Sequence, residues 1–317
     1  MNNEVFDDVS TENSAHENLN TENSALDSGN IKETTIKMHD NNEINNYKNR
    51  SKFADLFASD FYKIGHMKSI IIIPFVMLFL ILINYSLFWW QETVLGTANI
   101  PDIPELLFTG KIMLFGAGSY ILLGLFLGII FGINIGGEFS NGTISSLVAR
   151  GSNRLEIYFS KWLTMATIVT MFVLGSFVVC GILTAISGYG APFNGLEFGY
   201  LVRSLVLQTL CNIATGSVLV MVCFLLRTKG GAIAVSLALY FLSNVIISIL
   251  ATIGQLSSGT AWLSELVTYV PGQLLGFATM TGGYTTANIL KLVFVPIAYI
   301  LLTSFVGSYT FLKKDIK

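Results

Sequence analysis

Long apolar runs alternate with short polar segments over most of this chain. Six runs, at 69–90, 112–135, 162–187, 201–226, 232–253 and 290–309, are each long enough to cross roughly 30 Å of hydrocarbon as helices. Helices satisfy their own backbone hydrogen bonds in lipid, so the pattern predicts an all-α membrane protein with six transmembrane helices. Before the first run, over 51–68, Phe53, Leu56, Phe57, Phe61 and Ile64 recur at helical spacing with Lys52, Asp55, Asp60 and Lys63 between them. That predicts an amphipathic helix lying in the headgroup layer. Segment 254–288 is too apolar for a free loop and too interrupted to span, with a break at Pro271-Gly272. Short helices dipping back from the outer face are the expected solution.

The first fifty residues differ from the rest. They hold ten acids and four bases, and Asn, Glu, Ser and Thr leave too few apolar residues for a core. We expect a disordered acidic tail over 1–50 and a membrane domain over 51–317. The membrane domain is mildly basic, with fourteen bases against ten acids, which suits contact with anionic membrane lipid and makes no case for nucleic acid. The bases in and just before this domain collect on alternate segments. Lys48, Arg50, Lys52, Lys63 and Lys68 precede the first span, and Arg150, Arg154 and Lys161 follow the second. Arg227 and Lys229 follow the fourth, and Lys313, Lys314 and Lys317 follow the sixth. The positive-inside rule then predicts a multi-pass protein of the cell membrane with both termini cytoplasmic.

Little in this chain suits catalysis. His16, His39 and His66 all precede the first span, and no Asp or Glu falls inside a predicted span. Intramembrane metalloprotease, Ser–His and carboxylate-relay chemistry all lack their groups. Segment 137–143 has the glycine spacing of a phosphate loop but no Lys before Thr143, so ATP hydrolysis is not expected here. Cys180, Cys211 and Cys223 lie in apolar runs without metal-site spacing.

The polar island at 137–161, GEFSNGTISSLVARGSNRLEIYFSK, is the most informative stretch. Glu138 closes the second span, Gly142-Thr143 opens a short helix, and Arg154 and Lys161 lead into the third span. This pattern resembles the loop after the second span in ABC-2 type transporter permeases, although Ser145 stands where that family often has a base. The resemblance implies a cytoplasmic coupling helix that docks on a separate ABC ATPase subunit, which would carry the ATP and Mg. The coupling interface would comprise Glu138, Gly142, Thr143, Ile144, Leu147, Val148, Arg150, Arg154 and Lys161. Ile144, Leu147 and Val148 share one helical face, as docking anchors would. The same family has an N-terminal elbow helix and an external re-entrant hairpin before span six, and both match segments described above.

Two further groups are candidates. Gly124, Gly128, Gly132 and Gly136 recur every four residues, with Gly116 on the same face. Such a groove serves close helix packing within one subunit or a dimer seam with a second permease subunit, identical or different. Gln208, Asn212 and Asn244 are rare polar groups inside spans, suited to interhelical hydrogen bonds or to a substrate path. The expected function is the permease subunit of an ATP-driven exporter, and the resemblance favours a drug or antimicrobial peptide as cargo. A non-transporting scaffold or sensor and a secondary transporter are the alternatives.

Overall fold

The structure, a computed structural model, describes residues 52–95, 116–117, 123–186, 195–256, 260–278 and 286–313. Among them all regular structure is helical. The elements are α1 (Lys52–Gly65), α2 (Lys68–Leu95), α3 (Leu123–Ser140), α4 (Thr143–Ala149), α5 (Arg154–Ile186), α6 (Gly195–Leu226), α7 (Lys229–Leu256), α8 (Ala261–Val267), α9 (Pro271–Ala278) and α10 (Thr286–Lys313). Six of these, α2, α3, α5, α6, α7 and α10, are long and apolar enough to cross a membrane. The expected tail over 1–50 and most of 112–122 lie outside the described residues.

Two spans have different ends from those the hydropathy predicts, and backbone capping explains both. The second span continues past 135 to Ser140 and stops where Gly142 takes a left-handed φ of 69°, which only glycine adopts cheaply. α4 ends on a left-handed Gly151 at φ 84°. There Gly151 N–H donates to Val148 O at 3.0 Å and Ser152 N–H to Leu147 O at 3.2 Å, the pair of bonds of a Schellman stop. Asn153 then starts α5 by accepting the Leu155 N–H on Oδ1 at 3.2 Å. The third span therefore begins at Arg154 instead of 162. Its 33 residues reach roughly 50 Å at 1.5 Å per residue, so the first turns stand beyond the hydrocarbon.

Residues 56–317 pack as one compact unit. α6 lies at its centre, packed against α3, α5, α7, α9 and α10; α3 and α6 are the most buried spans, at 61% and 56% of their most apolar windows, whereas α7 buries 11% and α2 17%. Those two spans leave most of their surface uncovered by the rest of the chain. The core fills the space between α3, α5 and α6 with Leu127, Phe131, Ile135, Met165, Val169, Val173, Val220 and Phe224. α3 and α7 meet along the glycine stripe. A Cβ built on Gly132 would come 2.6 Å from Ile233 Cγ1, one on Gly128 2.9 Å from Ser236 Cβ, and one on Gly136 2.9 Å from Lys229 Cα. The stripe thus serves packing inside one chain, with backbones closer than any side chain permits.

At the end of the bundle away from α4, α8 and α9 pack on the spans. Thr260 Oγ1 donates to Ile253 O at 2.9 Å, and Ser204 Oγ of α6 donates to Ala278 O of α9 at 2.7 Å. Leu207, Cys211, Leu274, Ala278 and Leu292 form a small separate core there. All three cysteines are buried free thiols.

Candidate functional site

The basic residues that flank α3, α5, α6 and α10 gather at one end of the bundle, and α4 lies among them. Lys161, in the second turn of α5, is 2% exposed, and its Nζ lies 2.5 Å from Asp60 Oδ1 and 2.6 Å from Glu138 Oε2. The contact to Glu138 is an ion pair without the alignment of a directed hydrogen bond. Ser160 Oγ donates to Asp60 Oδ2 at 2.7 Å, and Lys63 Nζ reaches Glu138 Oε1 at 3.2 Å. Two carboxylates and two ammonium groups balance, which is the condition for keeping charge out of water at tolerable cost. The cluster joins α1, the last turn of α3 and the start of α5.

Next to it, aromatic rings close the same end. Phe224 of α6 contacts Phe139 of α3 edge-on at 5.5 Å, Phe311 of α10 at 5.0 Å and Tyr158 of α5 at 4.8 Å. Gly307 makes room for Tyr158, since a Cβ there would come 2.9 Å from the phenol ring. Arg154 Nη1 donates to Phe311 O at 3.3 Å and to Leu312 O at 3.0 Å. A guanidinium on those carbonyls meets the negative end of the α10 dipole. Lys229 N–H donates to Ser140 Oγ at 3.2 Å, and the Arg227 guanidinium lies 5.7 Å from the Phe139 ring centre.

The expected interface residues therefore divide into two sets. Glu138 and Lys161 are committed to each other inside the chain, and Arg154 is tied to α10. Ile144 is fully buried, and Leu147 and Val148 are half-buried against the chain's own core. Gly142 and Thr143 form the turn into α4. The side that α4 leaves open carries Ser146, Ala149 and Arg150. Sequence reasoning missed Asp60, although a signal existed. Asp60 follows Leu56 by four residues and precedes Ile64 by four, so it shares the apolar face of the predicted helix. A carboxylate on that face requires a buried cation.

The polar residues of the spans lie nearer the other end. Gln208 is fully buried, its Nε2 donating to Ser204 Oγ at 2.6 Å, and Asn212 Nδ2 donates to the Gln208 carbonyl at 2.9 Å. With the Ser204 bond to Ala278 this forms a polar chain from α6 to α9. Asn212 and Asn244 both line a cavity of about 270 Å³ beneath the α8–α9 turn, together with Thr215, Ser243, Gln273 and Tyr299. Gln208 stands outside that wall.

Six membrane-length helices, five of them around a buried central span, with charge concentrated at one end, define a multi-pass membrane protein. The model of the family described as ABC-2 family transporter protein matches residues 4–316, and the chain belongs to that family. It is a membrane component of a transporter, a permease. No curated protein matches the chain.

Proposed function

We propose that this permease is the membrane subunit of an ATP-driven exporter, powered by a separate ABC ATPase that carries ATP and Mg and docks on α4. The observation that carries the reading is the mounting of α4. Its apolar side, Ile144, Leu147 and Val148, holds it on the bundle, while Ser146, Ala149 and Arg150 remain open to a partner. Glu138 and Lys161 act as positioning residues that fix the two spans flanking it. A short helix stopped at both ends and joined to two spans passes displacement into the bundle instead of absorbing it.

In this reading the end bearing α4 is cytoplasmic, since it holds the basic residues. α1 is an elbow helix in the headgroup layer, and α8–α9 is an external re-entrant hairpin over the cavity that Asn212 and Asn244 line. A second permease copy or relative faces α7. That span is among the least buried in the chain, with Phe241, Leu242, Val245 and Ile249 exposed, which leaves an apolar face for a partner helix to cover. The cavity wall is uncharged, so the cargo class that fits is a neutral or amphipathic molecule, such as a drug or the apolar part of an antimicrobial peptide.

The test is purification of the tagged chain from its native membranes, followed by a Mg-dependent ATP hydrolysis assay. Ala149→Asp and Arg150→Glu, both on exposed positions, are expected to remove the co-purifying hydrolysis while leaving yield and melting temperature unchanged. Full hydrolysis in the Ala149→Asp sample would overturn docking on α4.

A further inference from the structure

An apolar groove of about 450 Å³ runs between α1, α2 and α5 where α1 turns into the first span. Phe61, Gly65, Pro74 and Gly175 are among its lining residues. Two of the walls are low because they are glycine: a Cβ built on Gly65 or on Gly175 would have no atom within 4 Å. The only polar side chain in the lining is Ser176, whose hydroxyl already donates to Phe172 O at 2.9 Å. The lining side chains thus offer an occupant almost no hydrogen bonds, which disfavours peptide and strongly polar ligands.

The surroundings at the α1 end are cationic. Gly65 is followed by His66 and Lys68, both exposed, and Lys63 keeps 43% of its side chain accessible. The acids on the neighbouring elements, Asp60 and Glu138, are buried and taken up by Lys161 and Lys63. A groove lined by hydrocarbon side chains that opens beside the exposed Lys68, with His66 next to it, matches one kind of molecule. We infer that it binds an anionic glycerophospholipid, with one acyl chain along Gly65 and Gly175 and the phosphate near His66 and Lys68. Hydrocarbon contact alone does not favour one lipid over another inside a bilayer, so the selectivity comes from the bases. This site is independent of the ATPase reading, because none of its residues belongs to α4.

The experiment counts lipids on the full-length protein released from nanodiscs of equal phosphatidylglycerol and phosphatidylcholine, by native mass spectrometry. The unmodified protein should retain one phosphatidylglycerol in preference to phosphatidylcholine by roughly fivefold or more. Gly175→Phe starts from a position where a Cβ meets no atom within 4 Å, so its ring can enter the groove, and it should abolish the retained lipid; Gly65→Leu on the facing wall should do the same. Lys68→Gln with His66→Gln should keep a lipid but bring the preference to within about twofold. Undiminished phosphatidylglycerol on Gly175→Phe would overturn the inference, as would an unchanged preference in the double variant. A change of oligomeric mass in Gly175→Phe with lipid occupancy unaltered would also overturn it, making the groove a contact between copies.

Discussion

Lys161→Met tests the ion cluster directly, since it keeps much of the side-chain volume and removes the charge. In the folded chain Lys161 lies between Asp60 Oδ1 at 2.5 Å and Glu138 Oε2 at 2.6 Å, and it is 2% exposed. Without it, two carboxylates remain buried on facing helices. Breaking a buried ion pair by removing one partner costs about 3–5 kcal/mol. Two contacts soften the loss here: Ser160 still donates to Asp60 at 2.7 Å, and Lys63 still reaches Glu138 at 3.2 Å. The lower end, about 3 kcal/mol, is therefore expected.

At roughly 2 °C per kcal/mol for a domain of this size, the melting temperature in detergent should fall by about 6 °C. Intrinsic fluorescence during a thermal ramp measures it. Adding Asp60→Asn and Glu138→Gln to Lys161→Met removes both orphaned charges and should recover at least half of the loss. The single variants Asp60→Asn and Glu138→Gln complete the cycle and isolate the coupling. A Lys161→Met protein melting within about 1 °C of the parent would refute the argument. So would a triple variant no more stable than the single one.

Three other outcomes follow from close contacts. Gly132→Ala places a methyl 2.6 Å from Ile233 Cγ1 and should cost about 1–3 kcal/mol, whereas Gly124→Ala, 3.3 Å from the movable Tyr240 ring, should cost less in the same melting assay. Arg154→Gln removes the guanidinium from the Phe311 and Leu312 carbonyls and should speed hydrogen exchange in the last turn of α10, leaving α6 unchanged. Gly307→Ala should lower the melting temperature by pushing on Tyr158, and Tyr158→Phe should restore part of it by removing the Oη atom that makes the shortest contact.

The spans were legible because length and hydropathy alone determine them, and all six reappear in the structure. Their ends were less legible. Hydropathy stops at Ile135 and resumes at Trp162, but backbone caps decide where a helix stops, and Gly142, Gly151 and Asn153 move both boundaries. The glycine stripe announced a close neighbour without naming it; only the three-dimensional packing identifies α7. The apolar face of α4 was legible as a face, with Ile144, Leu147 and Val148 together, but amphipathicity does not say what covers it. In this chain its own core does.

The arrangement around α4 has a mechanical consequence. Asn141 and Gly142 join α4 to α3, and residues 150–153 join it to α5, so both linkers are short and both are ordered by backbone hydrogen bonds. A displacement of α4 therefore reaches the ends of both spans together. α3 carries α7 with it, because the glycine stripe holds those backbones in direct contact. α5 touches α10 through Arg154 at the end of α10 and Tyr158 over Gly307, although α10 packs mainly along α6. Between these two pairs stand the Phe139–Phe224–Phe311 rings and the Lys161 cluster, which oppose separation in different ways. The rings are uncharged contacts, whereas separating Lys161 from Glu138 leaves Lys161 with Asp60 alone and Glu138 with the half-exposed Lys63. Parting α3 from α5 would therefore break the Glu138–Lys161 pair inside the protein, a loss that the remaining partners Asp60 and Lys63 only partly offset.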